Sequence, residues 1–512
     1  MTKEAGAPTQ FRALWLGGAN VRDAERVVAV LDLLVAAAKE ASARWGRVYD
    51  ETPVVEVVYP GQEAPTDALI DAAGSTGCRL LRRDATVDFL APQCDLAIVP
   101  VASDLPRVGS LPAIIMASDV DEAPRFDLRG ASLVAKQGRN SDLSIPASPR
   151  TIAAAFAPPR AGEESRKLIE YLAEPPDQRV GRHAYDLLLF MIGESSRPSS
   201  DASDDSWDRA LDLVRQTRPG AAGAIEGLES HYVRADALAI AYGQRWRSTL
   251  VARSLLLLLV SIGSGMIGTL YPPSTIVTIP FQIIATVLIF FDRRHSQRNH
   301  WREKWIEYRR LAEVLRTGRL LVLCGVPHRW SSETDWVNWM HNRVTGASPS
   351  FEPLQDADAP AVLERLAGAE IGEQIAYHQA AFRRFRRLDR GFRRAANISL
   401  FILIGFAIVL GGLALTPSHH FGPLSSTSLL SALSFALSGA PSLFGAMNNV
   451  RRELDVVRQG TRSAKVAAGL KRLTRDIAAA PHTAAVARAV GFRAVEIMNE
   501  AVFSWSSVVS IL

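Results

Sequence analysis

The chain has 512 residues, of which 48% are hydrophobic and 22% charged, with a formal net charge of +5 and a mean hydropathy of +0.06. That length suits two or three folding units, and the hydropathy is high for a wholly water-soluble protein. Three cysteines, Cys78, Cys94 and Cys324, are widely spaced and odd in number, which excludes a disulfide framework and a cysteine metal-ligand spacing and fits a reduced cytoplasmic setting.

The opening MTKEAGAPTQFRALWLGG has no basic region followed by an apolar run of signal-peptide length, so the first domain is expected to stay unexported. From Phe11 to about Ala117, short apolar runs alternate with helix-like stretches. ALWLGG (13–18), VVEVVYP (54–60), DLAIVPV (95–101) and AIIMAS (113–118) read as buried strands, rich in Val, Ile and Leu and bounded by Gly, Pro or Asp. An amphipathic helix separates the first two, and another is expected over 66–73. This alternation predicts a mostly parallel, Rossmann-like sheet in a cytoplasmic sensor domain covering residues 1–225. A further helix is expected over 163–172.

The loop Gly17, Gly18, Ala19, Asn20 lies where such a domain cradles phosphate: small residues let backbone N–H groups approach an anion at a helix N-terminus, and Arg22 adds charge. Asp95, Pro100 and Ser103, near a later strand end, line the same crevice in this reading. The motif is not GxGxxG, and the alternative is that these glycines only turn a strand into a helix. No HExxH, CxxC or Walker pattern occurs, so no metal, catalytic residue or cofactor is expected.

From residue 226 the pattern becomes helical and leads into two stretches free of Asp, Glu, Lys and Arg, one between Arg253 and Asp292 and one between Arg394 and Arg451. Each is split by prolines, at Pro272-Pro273 and between Pro417 and Pro423. The result is four expected spans, at about 253–271, 274–291, 397–415 and 424–447, each near the length that crosses about 30 Å of hydrocarbon. The fold class expected is therefore α/β plus an α-helical membrane protein. Its first hairpin with helical extensions lies in 226–325, an interhairpin segment in 326–380, and the second hairpin with C-terminal helices in 381–512. Arginines flank both hairpins and neither turn carries Lys or Arg. The positive-inside rule then places both termini in the cytoplasm of a multi-pass inner-membrane protein.

The spans lack intramembrane charge and hold small and hydroxyl residues instead, notably Ser261, Ser264, Gly265 and Gly268, with one amide, Gln282. These residues either pack helices closely or line a wet path. Before the second hairpin, FRRFRRLDRGFRR places Arg383, Arg384, Arg386, Arg387, Arg393 and Arg394 among phenylalanines. Such a run anchors to lipid headgroups, or alternatively contacts the phosphates of a nucleotide or oligonucleotide.

After the first hairpin, Trp301, Trp305, Tyr308 and Leu311 share one helical face with arginines opposite. The pattern W-x3-W-x2-Y-R-x2-A-E-x-L, carried by Trp301, Trp305, Tyr308, Arg309, Ala312, Glu313 and Leu315, resembles that of SLATT-type transmembrane effectors of bacterial antiphage systems. The chain departs from that pattern in having two hairpins. The resemblance implies a homo-oligomeric channel or pore in the bacterial inner membrane, with a tetramer favoured, which opens or disrupts the membrane in abortive infection. It also implies control by a nucleotide-derived ligand from a partner nucleotidyltransferase, either a cyclic nucleotide or, as in the similar Hailong-type channels, a single-stranded DNA oligomer. The alternative is a membrane-anchored nucleotide or NAD hydrolase that uses the Rossmann-like domain.

Overall fold

The structure is a computed structural model. It describes residues 10–16, 24–46, 48–49, 54–60, 67–83, 85–99, 113–115, 132–136, 142–146, 153, 158–159, 162–175, 184–185, 211–212, 214–270, 275–327, 335–347, 351–415 and 441–509.

Seven strands, β1 (Gln10–Trp15), β2 (Val54–Pro60), β3 (Arg79–Arg83), β4 (Leu96–Val99), β5 (Ala113–Ile115), β6 (Ser132–Lys136) and β7 (Asp142–Pro146), form one sheet in the order β3-β2-β1-β4-β5-β6-β7. The first five neighbours pair in parallel, with β1 on β2 from Gln10↔Val54 to Leu14↔Val58 and on β4 from Ala13↔Leu96 to Trp15↔Ile98. β6 and β7 add antiparallel strands at one edge. The order 3-2-1-4-5 is that of a doubly wound sheet, whose crevice opens where the chain leaves the carboxyl ends of β1 and β4.

Side chains on β1 alternate between two cores, as a strand with both faces covered requires. Phe11, Ala13 and Trp15 face the layer that contains helix α1 (Ala24–Arg44), whose Val27, Val30, Leu31, Leu34, Ala38 and Ala41 form a stripe of helical period. Leu14 and Leu16 face the opposite side, with Val58, Leu90, Ala97 and Val99. Helix α2 (Asp67–Thr76) packs beside α1.

The rest of the described chain is mostly helical. Helix α3 (Glu163–Ala173) precedes α4 (Pro219–Leu270), a single helix of 52 residues, about 78 Å long at 1.5 Å per residue. Helices α5 (Thr275–Arg298) and α6 (Trp301–Leu323) follow, then α7 (Trp336–Ala347). A short helix, Ala359–Arg365, runs through a π-helical stretch into α8 (Gly372–Leu415). Residues 441–453 are helical, and α9 (Val456–Ala479) and α10 (Ala484–Val509) complete the described order.

The long pairing of α6 along α4 depends on a close approach at Gly243, where an added Cβ would lie 2.8 Å from the Trp305 ring. Trp246 stacks on that same ring at a centroid distance of 5.1 Å. α6 stops at Gly325, which has φ +68. There Val326 donates its N–H to the Leu321 carbonyl and Gly325 to that of Val322, the paired bonds of a Schellman cap.

Among the described residues one helix, running through Ala359–Val409, is long and apolar enough to cross a membrane, and 17% of its most apolar window is buried. A core helix of a soluble protein would be mostly buried. Large apolar side chains exposed on the molecule concentrate in the charge-free stretches: Ile283, Ile284, Leu288, Phe290 and Phe291 on α5, and Phe401, Ile404 and Ile408 on α8. An apolar surface of that extent marks contact with something other than water.

Candidate functional site

The expected phosphate-cradling residues Gly17, Gly18, Ala19, Asn20 and Arg22, together with Ser103, lie outside the described residues. At the opposite, amino-terminal edge of the sheet, described residues fasten β1 and β4 to the helices. Arg343 on α7, 3% exposed, donates to Asp95 Oδ1 at 2.7 Å and to the Gln10 carbonyl at 2.7 Å. Asp95 Oδ2 accepts the backbone N–H of Arg12 at 2.9 Å, and the Arg12 guanidinium grips Glu56 Oε2 at 2.8 Å. Gln93 Oε1 accepts the N–H of Phe351 at 3.1 Å. These buried charges are paired and hydrogen-bonded, the condition under which burial is tolerated.

α6 carries a second set of ion pairs. Lys304 binds Glu174 at 2.6 Å and Glu170 at 3.0 Å, and Lys167 binds Glu307 at 2.7 Å. Glu307 also accepts the Trp336 indole N–H at 3.0 Å. Arg309 meets Asp236 at 2.6 Å and pairs with Glu313, which also pairs with Arg316. Burial pushes the Glu313 carboxyl up, but Arg309 and Arg316 outweigh it and hold the group below the usual carboxylate range. The sequence pattern around Trp301 to Leu315 therefore serves packing. Tyr308 is sandwiched among Tyr171, Tyr242 and Trp336, and Arg309 lies between acids inside the bundle, not on a free cationic surface.

At the ends of the charge-free stretches the flanking helices touch. Leu250 and Val251 of α4 cluster with Leu388 and Phe392 of α8 and with Val450 and Leu454. Arg253 binds Asp292 at 2.5 Å, joining the start of one charge-free stretch to its end. Arg451 binds Asp389 at 2.6 Å, which joins the second pair in the same way. Arg393 shares Asp389 at 2.9 Å, and Arg383, Arg386, Arg387 and Arg394 are exposed along α8, with Arg384 half-buried. Further along the stretch, Ser261 of α4 hydrogen-bonds Ser442. Ser264, Gly265 and Gly268 continue α4 in positions whose side chains are outside the description, and Gln282 is exposed on α5.

The C-terminal pair of helices holds a groove that no sequence motif marks. α9 and α10 enclose a groove of about 920 Å³ lined by Arg458, Arg462, Lys465 and Arg472 on α9 and Arg493 on α10, with Asp476 as the acid among its lining residues. The signal was in the sequence as cations spaced four, three and seven residues apart, which fall on one helical face. Burial lowers the Arg462 pKa, and the neighbouring Arg458 lowers it further.

Among the described residues no three His, Cys, Asp or Glu side chains gather as metal ligands would. Burial raises the thiols, Cys78 upward and Cys324 up to about 12, which leaves both poor nucleophiles. No family model matches the chain, and no curated protein or solved structure matches it either.

Proposed function

We propose that the chain is a multi-pass membrane effector. In this reading its four spans, in two hairpins with both termini cytoplasmic, form an oligomeric ion channel or pore, a tetramer in first place, under the control of a nucleotide-derived ligand in antiphage defence. One observation carries the reading: α4 runs unbroken from the helices fastened to the sheet into the first charge-free stretch, where Ser261 meets Ser442 of the second. A rigid helix shared by a ligand-binding fold and an apolar hairpin transmits a shift in one to the other. The mostly exposed apolar window of α8 and the apolar flank of α5 support a lipid environment, and the hydroxyls between spans suit a path without fixed charge. A cyclic nucleotide and a single-stranded DNA oligomer remain the two ligand classes proposed, supplied by a partner nucleotidyltransferase.

The test is ion flux from proteoliposomes that hold the full chain, with cyclic nucleotides and single-stranded DNA oligomers added in turn. Flux that depends on one of these ligands is expected. Verified insertion with silence across the whole panel, or flux indifferent to every ligand, would contradict the reading.

A further inference from the structure

The groove between α9 and α10 has the chemistry of a phosphate site. α9 runs antiparallel beside α8, starting where Gly460 lies against Phe385 and continuing toward the π-helical stretch Leu366–Ile371. It therefore leads away from the charge-free part of α8. From Arg458 to Arg472 the helix rises about 21 Å. Cations along that length meet several phosphates in succession, not one.

Asp455 stands near Arg458 at one end of the groove, while Lys465 and Arg472 form no ion pair with a described residue, in contrast to the arginines of α6, which are held by acids. The floor is apolar and tight: Gly469 has no side chain, and a Cβ there would lie 3.1 Å from Ile497. None of the lining residues is aromatic. A groove that bound bases would offer stacking platforms, whereas this one offers cations over a small aliphatic floor.

Lipid headgroups explain only part of it. α9 begins just after Asp455, and Arg472 lies about 25 Å further along the helix. That is well beyond the Debye length of about 8 Å at physiological salt. Gly460 lies against Phe385, about 15 Å along α8 from the start of its charge-free stretch, so the cations of α9 stand at increasing distance from any bilayer that α8 enters.

We propose that this groove binds a soluble linear polyanion through successive phosphates, reading charge spacing and not base identity. The inference deepens the reading of ligand control and rests on it only for the consequence that occupancy alters flux.

Binding is measured without flux, by the fluorescence anisotropy of a labelled single-stranded oligonucleotide with the full chain in detergent and inorganic polyphosphate as competitor. Polyphosphate is expected to displace the oligonucleotide. The Lys465→Glu, Arg472→Glu double variant, altered only at exposed positions, should bind about tenfold more weakly or worse. Its salt slope should be shallower by about 1.4, for two lost phosphate contacts on a single strand. Asp476→Lys should tighten binding several-fold, a gain that misfolding cannot imitate. Unchanged affinity in both variants, or failure of polyphosphate to compete, overturns the proposal, as does binding confined to anionic phospholipid vesicles. Altered binding with silent liposomes would sink the channel and leave the groove, and ligand-dependent flux with unaltered binding would do the reverse.

Discussion

Arg343 reaches from α7 into the base of the sheet and is held by Asp95 and the Gln10 carbonyl. Truncating it removes the guanidinium from a carboxylate that is 1% exposed and from the half-buried Gln10 carbonyl. Removing one partner of a buried pair costs about 3–5 kcal/mol, because the remaining charge is left uncompensated. Arg343→Ala should lower the denaturant midpoint accordingly, and Arg343→Lys should recover little, since an ammonium cannot span both acceptors as the guanidinium fork does. An unchanged midpoint would show that the sheet does not rely on this junction. Two histidines make a separate demand. Burial lowers the pKa of His231 to about 4, with Arg234 adding to it, and lowers that of His378 to about 4, where Arg316 and Arg309 outweigh Glu313. Their ordinary value is 6.5. Between these limits the unfolded chain binds more protons than the folded one, so stability is complete above about pH 6.5 and falls as pH drops toward about 4. Unfolding midpoints for His378→Gln should fall less steeply over that window than those of the unaltered chain.

At the scale of elements, α6 is the central beam: it lies along α4, touches α7 and α10, and ends in a Schellman cap. Gly243→Val would drive methyl groups into the Trp305 ring and separate α4 from α6. Overpacking of this kind costs about 1–3 kcal/mol, read as a lowered melting temperature together with greater exposure of Trp305 to a fluorescence quencher. How much of these elements is legible in the sequence depends on what each one buries. β1, β2, β4 and α3 are visible because apolar runs and helical period report burial directly. β3, RLLRR, is not, because an edge strand carries charge that reads as loop. The arginines of α6 look like a cationic surface in sequence because Asp236 comes to Arg309, and Glu229 to Arg319, only through the pairing of α4 with α6. The α9 groove needed α10 folded back against it before its cations enclosed a space.

For the whole molecule, charge is segregated along the chain. Ion pairs fill the junctions between sheet and helices, arginines ring the feet of the apolar stretches, and the stretches themselves carry none. Everything proposed about function depends on those stretches crossing a bilayer as two hairpins with their charged ends on one side. Site-directed labelling tests this most directly. With the buried Cys78, Cys94 and Cys324 replaced, single cysteines are introduced at Ser274 and Ser418, in the turns expected from the sequence, and at Asn299 and Arg390 beside the charged ends. A membrane-impermeant thiol reagent applied to intact spheroplasts should label Ser274→Cys and Ser418→Cys, and should reach Asn299→Cys and Arg390→Cys only after the membrane is opened. Labelling of all four positions alike, or of the charged ends in preference to the turns, would contradict the account.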